Sequence, residues 1–97
     1  MISKSILFYW SKGSDKRRSI LTMVDSLSKK DKPCFLNLIA KKMKISHVGI
    51  KKHVDLLMEE RYIEPINPKG KPVYLRLTKS GKAVINEIKV RNELIVL

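Results

Sequence analysis

Cysteine, aromatic residues and long apolar runs are all scarce in this sequence. Cys34 is the only cysteine in 97 residues, which excludes an intramolecular disulfide and a metal site built from cysteines. No segment approaches the roughly 20 consecutive apolar residues of a membrane-spanning helix. The apolar run ILFYW near the start is too short for a secretion signal. We therefore expect a cytoplasmic protein that has no membrane partner.

Patterns that carry catalysis or bind metals are also lacking. The two histidines, His47 and His53, are six positions apart, and this spacing does not put them on one face of a helix for a metal ion. There is no glycine-rich phosphate loop and no nucleophile with a neighbouring base. We predict that the chain is not an enzyme and uses no cofactor and no metal. No small-molecule substrate is evident.

Acidic residues are few compared with basic ones. The chain has 21 lysines and arginines against 9 acidic residues, a net charge of +12, and a pI near 10.0. A domain this basic is typical of nucleic-acid binders. The alternative is a lysine-rich solvated surface of the kind found in heat-adapted proteins, and the composition would suit a thermophilic archaeon or one of its viruses. The length allows one domain with a single modest core.

Apolar periodicity predicts four helices and one hairpin. A first helix, capped by Ser14 or Asp15, is followed by a strand stub at CFL and by a short helix after an Asn37 cap. Ser46 caps the segment SHVGIKKHVDLLMEE, whose apolar stripe faces the core. YIEPI and VYLRL alternate like strands around the loop NPKGKP, residues 67–72. Thr78 caps a last helix.

This order resembles the winged helix-turn-helix fold of prokaryotic transcription regulators over residues 13–84. NLIAKKMKIS is similar to their second helix and turn, and SHVGIKKHVDLLMEERYI to their recognition helix, with Gly49 small where it touches helix 2. YLRLTKSGKAV resembles the Leu-Thr-x-x-Gly signature of MarR- and ArsR-like regulators, and KGSDKRRSIL the start of their first core helix. The implied fold class is α+β and mostly helical: helix, strand stub, helix, recognition helix, two-stranded wing and C-terminal helix.

Two positions depart from the family pattern. Lys44 and Arg61 stand where these regulators often have glycine, at points where the chain takes a left-handed conformation. A side chain there costs about 1 kcal/mol. We therefore expect slightly different turns in the same fold.

The resemblance implies binding to double-stranded DNA, with the recognition helix, residues 46–60, in the major groove and the basic wing, residues 67–72, on the backbone or minor groove. The outward flank of the helix offers four base-reading candidates: His47, Val48, Lys51 and Lys52. Candidates for backbone contacts, which position the protein without reading sequence, are Lys41, Lys42, Lys44, Ser46, His53, Lys69 and Lys71. For His53, packing at the margin of the core is the alternative.

Both ends of the chain carry apolar surface beyond what one subunit needs. We divide the sequence into an apolar N-terminal arm (1–13), the winged helix-turn-helix domain (14–78) and a C-terminal helix (79–97). The last helix has a coiled-coil-like spacing, and we expect it to form a homodimer together with the arm. The expected dimer residues are Phe8, Trp10, Ile85, Ile88, Asn92 and Ile95.

The function predicted from the sequence is that of a DNA-binding transcription regulator. Two alternatives stay open: a nonspecific architectural DNA-binding protein, and a winged-helix module that binds a protein of the transcription machinery. A regulator loses site preference when Lys51 and Lys52 are changed, whereas an architectural protein only binds more weakly. An interaction module has no salt-dependent affinity for DNA at this face and contacts a protein through Tyr74 and the apolar ends of the chain.

Overall fold

The computed structural model describes the backbone of residues 2–96 and the side chains of residues 2–91. A short π-helical segment, Ile6–Trp10, precedes the main elements. These are, in order, α1 (Ser14–Lys29), α2 (Leu36–Met43), α3 (His47–Glu59), β1 (Ile63–Pro65), β2 (Leu75–Leu77) and α4 (Lys79–Val96). The predicted order of elements is confirmed.

The two strands form an antiparallel hairpin, the wing, with Ile63 opposite Leu77 and Pro65 opposite Leu75. Its inward side chains reach the core, since Ile63 and Leu77 are both buried. The predicted strand stub is a single bridge between Phe35 and Tyr74. This bridge ties the segment between α1 and α2 to the wing.

The core is built on α1, whose apolar stripe lies between the other helices. Ile20, Leu21 and Val24 have no exposed surface, because their helical spacing turns all three to the same side. Apolar stripes from the remaining elements complete the cluster, including Ile39, Ile50, Val54, Leu57, Ile63, Val84 and Ile85. Burial of this apolar area supplies most of the favourable free energy of folding.

Two predicted helix caps are confirmed. Ser46 Oγ accepts a hydrogen bond from the Gly49 N–H at 3.2 Å. Thr78 Oγ1 accepts from the Gly81 N–H at 3.1 Å and donates to the Arg61 carbonyl at 2.6 Å. The second cap therefore also fastens α4 to the end of α3.

Two other predicted caps are wrong. The residue before α1 is Gly13, which has a left-handed backbone with φ of 86°, and Ser14 is a buried first residue of the helix. α2 begins at Leu36, so Asn37 lies inside it. α2 starts at Leu36 because the bridge at Phe35 holds the backbone extended up to that point. The Phe35 carbonyl then accepts the first helical hydrogen bond, from the Ile39 N–H at 3.1 Å.

Each of α1, α2 and α3 ends in a Schellman motif whose left-handed residue is not glycine. These residues are Asp31, Lys44 and Arg61, with φ of 55°, 56° and 65°. In each motif the following N–H bonds back to a carbonyl five residues earlier, as in Tyr62 N to Leu57 O at 2.8 Å. Lys44 and Arg61 thus take the left-handed backbone in spite of their side chains, at a cost of about 1 kcal/mol each. The expected difference in these turns is wrong, because both keep the usual geometry.

The N-terminal arm packs on its own domain. Leu7 and Phe8 are fully buried, and the Phe8 ring meets Tyr62 edge to face, with centroids 4.9 Å apart. Arg17 donates from Nε to the Leu7 carbonyl at 2.6 Å, and Arg18 donates to the Phe8 carbonyl. The arm is therefore held by both core packing and hydrogen bonds from α1.

This packing corrects two of the expected dimer residues. Phe8 and Ile85 are buried within their own chain, so neither has surface to offer a second copy. Ile88 is half-buried against the core, and Trp10 is 80% exposed. The side chains of Asn92 and Ile95 lie outside the described residues.

Gly49 and Gly81 lie at the two ends of α3, each with a close neighbour. A Cβ on Gly49 would lie 3.3 Å from Ile45 and 3.2 Å from the Ser46 hydroxyl, so its tight neighbour is the turn before α3, and the predicted contact with α2 is wrong. A Cβ on Gly81 would lie only 2.2 Å from the Tyr62 carbonyl oxygen. Here α4 crosses the backbone at the end of α3.

We predict that Gly81→Ala destabilises the fold by about 2 kcal/mol or more, because the new methyl group forces α4 away from Tyr62. In an unobstructed helix the same change stabilises by up to about 1 kcal/mol. Urea unfolding measures the difference, with Ser80→Ala at the exposed neighbouring position as control. An unchanged or raised unfolding free energy for Gly81→Ala would contradict the close contact.

Candidate nucleic-acid interface

α3 has one face in the core and the other open to solvent. Ile50, Val54 and Leu57 are buried, which fixes the rotation of the helix about its axis. The four predicted base-reading residues lie together on the opposite flank of its first two turns. All are exposed, and they are His47, Val48, Lys51 and Lys52. Val48 is a large apolar side chain with 66% of its surface exposed.

The exposed flank carries one ion pair of its own. Lys51 Nζ lies 2.6 Å from Asp55 Oδ2, one turn further along α3. Both side chains are about half exposed, 56% and 49%, so the pair contributes little stability. Lys51 can therefore exchange Asp55 for another acceptor at small cost. Lys52 is exposed beside it.

The helix N-terminus offers polar groups at one end of this flank. The Ser46 hydroxyl oxygen accepts the Gly49 N–H, and its hydrogen stays free to donate. Unpaired N–H groups of the first turn favour an anion there. The predicted lysines Lys41 and Lys42 of α2, and Lys44 of the turn after it, are exposed as well. α2 and its turn thus add positive charge next to the start of α3.

The wing loop is shaped by a residue that the sequence analysis missed. Asn67 Nδ2 donates to the Pro72 carbonyl at 3.2 Å, and its Oδ1 accepts from the Tyr74 N–H at 2.6 Å. These bonds close the loop and leave Lys69 and Lys71 exposed on it. The signal available in the sequence was the Asn-Pro pair, which favours turns.

His53 lies apart from the exposed flank and is half-buried at the margin of the core. Arg17 Nη1 lies 3.3 Å from His53 Nδ1. Since a guanidinium can only donate, the ring accepts at Nδ1 and its proton is on Nε2. Burial, and then the nearby Arg17 charge, lower the pKa of His53. The packing alternative is the one observed, and we remove His53 from the set of backbone contacts.

The remaining chemistry of the described residues is sparse. Cys34 is buried, and burial raises the pKa of its thiol to about 11, so it packs as a small apolar residue. Within the described residues, no group of three or more His, Cys, Asp or Glu side chains is arranged to hold a metal ion. None of the described helices is long and apolar enough to cross a membrane.

Comparison with known proteins identifies the fold. No protein-family model and no curated protein matches the sequence. The structure is similar to Lactococcus lactis ZitR, solved as a double mutant in apo form, with a TM-score of 0.68 and 21% identity over 86% of this chain and 61% of ZitR. It is also similar to the adhesin competence repressor AdcR of Streptococcus pyogenes, with a TM-score of 0.67 and 16% identity over 95% of this chain and 68% of AdcR.

These matches confirm the predicted winged helix-turn-helix fold. In this fold α2 and α3 are the helix-turn-helix pair and β1 and β2 form the wing. The chain spans about three fifths of the length of ZitR.

We predict that acidification destabilises the protein through His53. Its pKa is lower in the folded chain than in the unfolded chain. Its contribution to stability is therefore fully present above the unfolded value of about 6.5 and is lost as pH falls through the folded pKa. Urea unfolding between about pH 7 and pH 5 should show a fall in the unfolding free energy that is smaller for His53→Gln. His47→Gln is the matched control, since His47 is exposed. Equal pH slopes for wild type and His53→Gln would contradict this assignment.

Proposed function

We propose that the protein is a sequence-specific DNA-binding transcription regulator, similar to MarR- and ArsR-like proteins, and that it acts in the cytoplasm on nucleoid DNA. The observation that carries this is the division of α3 into a buried apolar face and an exposed flank with two lysines, a histidine and a valine. Such a helix can enter a groove without disturbing the core. The name of the neighbour AdcR describes a repressor, and we propose the same direction of control here.

The exposed flank of α3 supplies groups that suit base edges in the major groove. Lys51 and Lys52 can donate to guanine O6 and N7, as can His47. Val48 can contact a thymine methyl group, which explains why a large apolar side chain is left exposed at this point. All four lie in the N-terminal half of the helix, the part that reaches deepest in related docking geometries.

Backbone contacts come from lysines on either side of this helix. Lys41, Lys42 and Lys44 lie before α3, and Lys69 and Lys71 lie on the wing. Together with the Ser46 hydroxyl they neutralise or bond about six phosphates. The logarithm of the binding constant should then fall with the logarithm of salt concentration with a slope of roughly −5.

An architectural role is the second candidate, and the charge of +12 on 97 residues favours it. Such a protein binds through the same lysines but reads no bases. The protein-interaction module finds less support, because Tyr74, its expected contact, packs against Phe35 with ring centroids 6.1 Å apart.

We also propose a homodimer built on the exposed apolar surface of the arm. Ile6 and Trp10 are 50% and 80% exposed and lie four residues apart. Val90 of α4 is 54% exposed and lines the groove between α4 and the arm. A second copy on this surface would remove it from water and set two recognition helices about one DNA turn apart.

We predict that Lys51→Gln/Lys52→Gln abolishes site preference. Fluorescence anisotropy with selected and scrambled duplexes across a salt series measures it. Wild type should prefer the selected duplex, and the double variant should bind both duplexes equally and weakly. Lys69→Gln/Lys71→Gln removes the same charge. It should weaken binding to both duplexes by the same factor and keep the preference for the selected duplex. Equal binding of all duplexes by wild type would favour the architectural role. No binding at low salt would overturn both the regulator and the architectural role.

We predict that Trp10→Ser weakens dimerisation more than about tenfold, because a large aromatic side chain at the centre of an interface dominates its energy. Sedimentation velocity over a concentration series measures the dimer fraction. Ile66→Ser is the control, since Ile66 is 55% exposed and lies at the wing. A wild type that stays monomeric at all concentrations would contradict the dimer.

A further inference from the structure

A second cluster of positive charge lies in the groove between α1 and α4. The groove has a volume of about 420 Å³, and polar side chains from both helices line it above the buried Ile85. These are Asp25, Ser28 and Lys29 of α1 and Lys82, Asn86 and Lys89 of α4. Three ammonium groups therefore share the groove with one carboxylate.

The contacts inside the groove leave most of this charge uncompensated. Asp25 Oδ2 lies 3.1 Å from Lys29 Nζ and 3.7 Å from Lys89 Nζ, so one carboxylate serves two ammonium groups. The Asp25 side chain is only 18% exposed, whereas the two lysines are 60% and 51% exposed. Lys29 and Lys89 are thus held close together around one carboxylate, and like charges at such a distance repel each other. An anion bound at the groove would relieve this repulsion.

The groove lies on a different edge of α1 from the DNA-reading elements. Asp25 and Lys29 are on the edge that faces α4. Met23, Leu27 and Lys30 are on the edge that faces Lys42 of α2. Since α2 packs beside α3, the lysines of the groove and those of the helix-turn-helix belong to separate surfaces.

We propose that the α1–α4 groove binds the phosphate backbone of a second nucleic-acid duplex, so that one protein molecule bridges two segments. Lys29, Lys82 and Lys89 supply the charge. The Asn86 amide and the Ser28 hydroxyl supply neutral donors, which suit phosphate oxygens. Contacts from these donors to phosphate oxygens are the same for every base, so the second segment is taken without regard to sequence. The proposal rests on the proposed DNA binding by α3, which holds the first segment.

Bridging is tested by loading the protein on an immobilised duplex that carries the selected sequence and then adding a labelled duplex of unrelated sequence. Wild type should capture the labelled duplex. Lys29→Gln/Lys89→Gln should load to the same level but capture little, and the salt dependence of capture should lose roughly two in slope. The control is Lys12→Gln/Lys79→Gln, which removes the same charge at two exposed lysines outside the groove and should capture like wild type.

The outcomes separate the groove from the recognition helix. If wild type does not load on the first duplex, the proposed function fails and bridging fails with it. Loading without capture overturns bridging alone. Capture that survives in Lys29→Gln/Lys89→Gln also overturns it, since a dimer with two recognition helices would then hold both duplexes.

A thermal melt in inorganic phosphate, compared with chloride at equal ionic strength, distinguishes the source of the phosphate group. Stabilisation of wild type but not of Lys29→Gln/Lys89→Gln, together with duplex capture, supports the groove as a backbone site. The same stabilisation without capture assigns the groove to a small anion and overturns the proposal that it binds a second duplex.

Discussion

The structure depends on the hydrogen bonds of one buried arginine. Arg17 is 6% exposed, and its guanidinium donates to the Leu7 carbonyl, to the Ser11 hydroxyl at 2.5 Å and to the Lys12 carbonyl, while also meeting His53 Nδ1. These partners belong to the arm, to the turn before α1 and to α3. A charge removed from water needs every donor satisfied, so the arm and α3 are fixed relative to α1 through one side chain.

The charge of the lysines contributes little to the stability of this molecule. Most of the described ion pairs lie at the surface, such as Arg76 with Glu64 on the wing and Lys4 with Glu87 between the arm and α4. Exposed pairs of this kind contribute little to folding. The apolar core around α1 therefore carries most of the stability, and most lysines lie outside it at the surface. This separation explains how a chain of net charge +12 keeps an ordinary core.

Features set by neighbouring residues were predictable from the sequence, and features set by distant ones were not. The caps at Ser46 and Thr78 bond within three residues, so local motifs predict them. The exposed flank of α3 follows from helical periodicity. The burial of Phe8 depends on Tyr62 and on Arg18, and the burial of Ile85 depends on the packing of α4 on α1. Periodicity groups such apolar residues on one face of an element, but it does not show which surface covers that face.

The same limit applies to the candidate sites. The base-reading set lies on one helix, and its residues could be grouped from their spacing alone. The groove lysines come from two helices, and Lys29 is more than 50 positions from Lys82 and Lys89 in the sequence. Only the tertiary structure brings them together around Asp25.

The left-handed residues that end α1, α2 and α3 show that the sequence is short of its attainable stability. Glycine at Asp31, Lys44 or Arg61 would remove the steric strain of a side chain, for a net gain of a few tenths to about 1 kcal/mol each after its greater unfolded-state entropy. Against a typical total of about 5–15 kcal/mol for a domain, that is a sizeable unused margin. Two of the three residues are basic and lie at the ends of α2 and α3. Glycine there would relieve the backbone strain but would remove a positive charge beside the proposed DNA surface. At these two turns the chain therefore carries a positive charge at a position where glycine would give a more stable fold.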